Sequence, residues 1–274
     1  MNPYLPIRKV PLDYNGIESS AYSVQMQHEG DVDKLPEWKE TGVVGHNYLL
    51  VDNDSVRKAA NQVAEECNLS FTHDKTFFNG RSYAYSLKSD HVVGEVAQGD
   101  DVALGMQFWN SYDGSKAFGF AMMLYRLICT NGMMSKNHFR TYRFKHQPSS
   151  ENWTESLDQV VSNINNLVGG KDMKRRGALD EFLRNLRSLS NLNVTTEKLG
   201  TLRHGYLKDV PVQLWGNIVD QFTDPNRPQN PHIKHTGWDL LNTATDLLWH
   251  KEKPTVSSYG QNATIVDGLC QAVA

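Results

Sequence analysis

The sequence predicts an α+β protein: a mostly antiparallel sheet with long β-hairpins and a packed helix in the N-terminal half, and a helical C-terminal half. Three observations predict it. Asn79-Gly80 and Asp113-Gly114 each separate two runs rich in apolar and aromatic residues, among the strongest short-range hairpin signals. Between residues 52 and 68, Val56, Ala59, Ala60, Val63, Ala64 and Cys67 follow the i, i+3, i+4, i+7 spacing of a helix with one buried stripe. From Asn152 onward the apolar period becomes helical throughout.

Taken in order, residues 1–42 read as an N-terminal arm and edge strand. Three prolines and two tyrosines in the first fifteen residues suit an extended segment packed on the body or on a partner, and residues 21–26 suit a short strand. Residues 43–150 read as the α+β core. A strand over 43–51 leads into the helix, which Asp52 or Asn53 can cap. Residues 69–78 and 81–87 form the first hairpin. Residues 90–101 read as a loop or edge strand with a turn at Gly99-Asp100-Asp101. The second, longer hairpin follows, over 102–109 and 117–129. In its first arm Val102, Leu104, Met106 and Phe108 share one face, as the two-residue period of a strand requires. In its second arm both faces carry bulk, which predicts a strand covered on both sides. Asn131-Gly132 then reads as a turn that uses positive φ.

Residues 151–274 read as a helical region packed on that core. Trp153, Leu157, Val160, Val161, Ile164 and Leu167 form one stripe that Gly169-Gly170 ends. Leu179, Phe182, Leu183, Leu186 and Leu189 form another, and helices are expected over 196–204, 214–221 and 238–249. Pro225, Pro228 and Pro231 break the last two apart.

Composition removes several function classes. A formal net charge of -3 gives no global pull toward a polyanion, so anion binding requires a local patch. No run of about 18 apolar residues is present to span a bilayer, and the N-terminus lacks a signal-peptide core, so the expected location is the cytoplasm. Cys67, Cys129 and Cys270 show no metal-ligand spacing and read as buried free thiols. No HExxH, GxSxG, P-loop or GxGxxG fingerprint is present, so no catalytic residue and no cofactor are assigned.

The patch that the charge argument requires lies in residues 136–146. Lys136, His138, Arg140, Arg143, Lys145 and His146 occur there with no acid, interleaved with Phe139, Tyr142 and Phe144. Positive charge contacts phosphates, while aromatic rings stack on bases with little sequence preference. A strand here would set Lys136, His138 and Arg140 on one face. The alternative is a solvated edge strand whose charges prevent edge-to-edge association. Lys174, Arg175 and Arg176, at the start of a helix, either extend the track or form a simple charge cluster. Arg126, in an otherwise apolar strand, needs a partner: Asp113, a Glu, or a phosphate in a groove.

Asn110-Ser111-Tyr112-Asp113-Gly114-Ser115, Arg126-Leu127-Ile128-Cys129-Thr130-Asn131-Gly132-Met133 and the late segment WDLLNTATDLLWH (238–250) resemble a family of phage, plasmid and prophage proteins known as domain of unknown function 932. The resemblance covers roughly residues 40–250 and implies a mobile-element protein acting inside a bacterium. The order helix, hairpin, long hairpin with an Asp-Gly tip, helix is also similar to the strand-annealing recombinases typified by RecT, Erf, Red-beta and the eukaryotic Rad annealing protein. That likeness implies a single-stranded DNA groove on a homo-oligomer, as a ring.

The expected function is therefore single-stranded DNA binding and strand annealing in recombination. Lys136, Arg140, Arg143 and Lys145 would hold phosphates, Phe139 and Tyr142 would stack bases, and Lys174, Arg175 and Arg176 would widen the track. Two alternatives remain: a metal-dependent nuclease using Asp100, Asp101 or Asp113 with a histidine, and a non-catalytic anti-defence protein that binds a host protein.

Overall fold

The N-terminal arm is itself a sheet. In the computed structural model, which describes residues 2–14, 16–28, 37–128, 131–139, 141–168, 173–224, 235–250 and 256–274, three strands pair antiparallel in chain order: β1 (Ile7–Tyr14), β2 (Ile17–His28) and β3 (Glu37–Gly45). Pro11 lies in edge strand β1, beside a register shift between Pro11 and Asp13. An edge strand or a bulge is where a missing N–H is tolerated. The expected strand over 43–51 is thus corrected to one that ends at Gly45. Residues beyond it are held by other partners, since the Leu49 amide donates to the His146 carbonyl at 3.1 Å.

α1 (Asn53–Glu66) is the expected helix, with Asp52 as N-cap accepting from the Ser55 amide at 2.7 Å. The second sheet runs β4 (Phe71–Phe78), β5 (Ser82–Ala97), β6 (Asp100–Ser111), β7 (Phe118–Arg126) and β8 (Asn131–Met133), and β9 (Thr141–Phe144) also pairs with β7. Residues 90–97 prolong β5 rather than forming a loop, and Gly99, at φ 73°, turns the chain into β6.

The helices are α2 (Leu157–Val168), α3 (Met173–Asn191), α4 (Thr196–Gly205), α5 (Val212–Thr223), α6 (Gly237–Trp249) and α7 (Val256–Gln271). Five match expectation, and α7 was not anticipated. Thr236 and Asp239 close a reciprocal capping box at the start of α6. Among the described residues, no helix is long and apolar enough to cross a membrane. Both Cys67 and Cys270 are buried free thiols, and burial pushes each up to about 12. Cys129, the Gly169-Gly170 stop and Pro225, Pro228 and Pro231 lie outside the described residues.

The chain divides into two units that interleave in sequence. The first comprises Met1–Leu87, Met106–Ala121 and Thr141–Ile164; the second comprises Lys88–Gly105, Met122–Arg140 and Asn165–Ala274. In the first, Val24, Met26, Val44 and Tyr112 make a core that Ile7, Tyr22, Leu50 and Phe78 complete. In the second, α6 packs against α3, α5, α7 and β8, with Leu240, Leu241, Ala244 and Leu248 buried.

Candidate nucleic-acid interface

In the first unit, the two glycine turns bring cations together. The Tyr112 amide donates to the Arg81 carbonyl at 2.8 Å, which fixes the β6–β7 tip beside the β4–β5 turn. That tip is firmly built. Asn110 Nδ2 donates to the Val51 carbonyl at 2.7 Å and to Asn53 Oδ1 at 3.0 Å. Tyr112 Oη accepts from the Asn53 amide at 3.0 Å, and Tyr48 Oη donates to the Ser111 carbonyl at 2.7 Å. Burial raises both phenols and keeps them neutral. Gly114, at φ 71°, makes the turn, and Gly42 lets β3 approach so closely that a Cβ there would sit 2.6 Å from Asp113 Cα.

β9 reaches the same end of the sheet. Its register pairs Phe118 with Phe144 and Gly119 with Arg143, so Lys145 falls beside Ala117 and Lys116. The approach requires glycine, because a Cβ on Gly119 would collide with the Tyr142 carbonyl oxygen. Arg81, Lys116, Lys145 and Arg143 are therefore gathered at the end of one sheet from three separate turns and strands. All four are exposed, and their side chains make no ion pair or hydrogen bond among the described residues. Asp113 is the acid within this group; its Oδ1 accepts from the Ser115 amide at 3.0 Å.

His146, next to Lys145, fixes the end of β9. It is buried, Nδ1 donates to the Leu49 carbonyl at 2.9 Å, and its ring stacks on Tyr48 with centroids 4.4 Å apart. Burial lowers its pKa, opposed by the backbone carbonyls around it. The aromatic face of β9 is spent on the fold. Tyr142 stacks on Phe120 at 4.6 Å and its hydroxyl meets Asn163 Nδ2; Phe144 stacks on Phe118 at 5.3 Å.

Several expected site residues lie elsewhere. Residues 136–146 are not one strand: 136–138 form a turn, and the strand begins at Thr141. The cause is in the second unit, where Asp267 accepts from the Ser135 hydroxyl at 2.6 Å and the Lys136 amide at 3.1 Å, and Ser135 Oγ accepts from the His138 amide. Lys136 is exposed on that turn. Phe139 is 6% exposed with its ring edge-on to Phe182, so its expected role in stacking a base is corrected to a core contact. His138 stacks on Phe182 at 4.6 Å, and burial lowers its pKa against the pull of Asp267 and Glu181.

Arg126 is likewise not free for a phosphate. Its Nε and Nη2 each donate at 2.7 Å to Asp100, whose second oxygen also accepts from Trp238 Nε1 at 2.7 Å. The pair is 15% and 8% exposed. The expected partner, Asp113, a Glu or a phosphate, is thus corrected to Asp100, which is buried. Arg140 lies outside the described residues, as do the side chains of Lys174, Arg175 and Arg176, although those three positions fall within α3.

Asn131-Gly132 is not a turn. It is strand β8, and Gly132 is needed because Trp249 lies on it, 2.6 Å from where a Cβ would be. Asn131 is 1% exposed and accepts from His250 Nε2 at 2.8 Å. No group of three or more His, Cys, Asp or Glu is placed to hold a metal among the described residues.

Sequence reasoning missed Arg81 and Lys116, which stand far apart along the chain. Both flank glycine turns that were already legible, and pairing the two hairpins side by side was the signal that could have joined them.

An α+β protein built on antiparallel hairpins, with an exposed cationic row at one sheet end, is the class these features define. Residues 40–267 match the family described as Domain of unknown function (DUF932), and the chain belongs to that family. No curated protein and no solved structure matches it.

Proposed function

We propose that this chain binds single-stranded DNA and promotes strand annealing in the recombination of a phage or other mobile element, acting as a homo-oligomer inside a bacterial cell. The observation that supports this reading is the row Arg81, Lys116, Lys145 and Arg143, four exposed cations whose side chains have no partner among the described residues. A folded chain of net charge -3 leaves such a group available to an outside anion. Arginine and lysine at a strand end contact successive phosphates without reading sequence, so the bases stay open to a complementary strand.

The test is binding of a fluorescent single-stranded oligonucleotide, against its duplex, across a salt series, followed by addition of the complement. Four phosphate contacts give a log–log salt slope of about -2.8 on single strands, and Arg143→Ala with Lys145→Ala removes about 1.4 of it. Faster duplex formation in the presence of protein is the expected result of adding the complement. Absence of binding at low salt, or a slope untouched by the double substitution, overturns the reading.

A further inference from the structure

The cationic row contacts phosphates, yet the half-buried rings of β9, Tyr142 and Phe144, are already stacked on Phe120 and Phe118. The three-stranded sheet, by contrast, carries a half-buried ring, Trp38, on its outward face. We propose that the outward face of β1, β2 and β3 is a stacking surface for the bases of a single nucleic-acid strand, an inference that rests on the nucleic-acid reading above.

The register assigns the faces. Ile7 pairs with Met26, and Tyr22 with Val44, on the side that fills the core; Arg8 pairs with Gln25, and Gln27 with Trp38, on the other. On that outward side the Arg8 guanidinium lies over the Trp38 ring, 4.0 Å from its centroid. It is held there by two hydrogen bonds to Gln25 Oε1, from Nε at 3.0 Å and from Nη2 at 2.8 Å. The ring and its cation are therefore pre-set, and the ordering entropy that binding would otherwise cost is already spent in folding.

The rest of the face decides between occupants. Beside the ring lie the amides of Gln25 and Gln27, and farther along Val43, 49% exposed. The carboxylate beside it is engaged: Glu40 accepts from the Ser23 hydroxyl at 2.8 Å. One tryptophan, one exposed valine, amides and an arginine make too little apolar surface for a protein-interface core, which is depleted of charge and rich in large apolar groups. A ring flanked by a guanidinium and by amides that can bond to base edges is instead the equipment used on unstacked bases.

The experiment compares full-length protein and its Trp38→Ala and Trp38→Phe variants on two labelled strands of equal length and charge. One is oligothymidine; the other carries abasic sites throughout. Trp38→Ala is expected to weaken oligothymidine binding about 5- to 100-fold, to leave the abasic strand unchanged, and to keep the salt slope. Trp38→Phe should recover most of the loss. Equal weakening on both strands, or none on either, overturns the stacking surface. A loss of slope in Arg143→Ala with Lys145→Ala at the same time leaves the phosphate reading standing.

Because Trp38→Ala could disturb the sheet, unaltered protein is also photo-crosslinked to a strand bearing 5-iodouracil. An adduct on Trp38 is expected, and adducts confined to other positions overturn the proposal. So does a change in sedimentation of the Trp38→Ala variant without DNA, which would give the face to a second copy of the chain.

Discussion

Arg126 and Arg143 sort this molecule into two kinds of charged region. Arg126, in the second unit, is spent internally: a bidentate bond to Asp100 in a site that Trp238 closes. Arg143, in the first unit, is exposed beside Lys145, Lys116 and Arg81, and its side chain is bonded to nothing among the described residues. By sequence the two are alike, each a cation between aromatic or apolar neighbours on a strand. What separates them is a carboxylate brought from the β5–β6 turn, and it decides whether an arginine stabilises the protein or remains free for a ligand.

The largest expected effect breaks the first of these regions. Arg126→Ala strands a buried carboxylate and should cost about 3–5 kcal/mol in urea unfolding. Asp100→Leu combined with Arg126→Met should recover most of that loss, because both charges leave together. A cost near zero for the single variant would mean that Asp100 is solvated after all.

Next, Gly119→Ala forces β9 off β7 and should cost about 1–3 kcal/mol. It should also weaken DNA binding, since Arg143 and Lys145 ride on that strand. Normal binding by a destabilised variant would detach the row from β9.

A smaller effect follows from the two buried histidines. Burial lowers the folded-state pKa of His138 and His146 below the ordinary 6.5. Below 6.5 the unfolded chain therefore binds more protons than the folded one. Their contribution to stability is complete above that pH and is lost as pH falls toward the lowered values. Urea midpoints measured between pH 7.5 and 5.5 should decline, and His138→Phe, which keeps a ring against Phe182, should flatten the decline. An identical decline in that variant would assign it to other groups.

The smallest effect sharpens the second region. Arg143→Ala with Lys145→Ala should alter stability by no more than about 0.5 kcal/mol while reducing the salt slope of binding. A large loss of stability would show that these cations are structural like Arg126.

The fold was legible in the sequence wherever local chemistry and tertiary packing agree. Asp52 caps α1 and both glycine turns stand where Asn-Gly and Asp-Gly place them. It was illegible where packing overrides local preference. α7 contains Gly260 and Gly268, which lower helix propensity, yet Gly268 is needed because a Cβ there would lie 2.6 Å from the Tyr206 carbonyl oxygen. Asn131-Gly132 has the composition of a turn, and Trp249 makes it a strand. Of the site, Arg143, Lys145 and Lys136 stood out in the sequence as cations without a neighbouring acid, and all three are exposed. The fates of Phe139 and Arg126 depended on Phe182 and Asp100, whose distance along the chain no periodicity reveals.

α7 also sets a schedule. Asn262 accepts from the Met134 amide at 2.9 Å and donates to the Gly132 carbonyl at 2.8 Å, and Asp267 takes Ser135 and Lys136. These partners are separated by 128 to 132 residues. At ribosomal rates of about 5–20 residues per second, β8 and the turn behind it wait roughly 7–26 s for their bonding groups to be synthesised. During that interval Gly132 and Met134 have unpaired backbone in a segment flanked by apolar strand, so chaperone demand should peak there. A ribosome stalled before residue 262 should hold a chain whose β8 is open to protease.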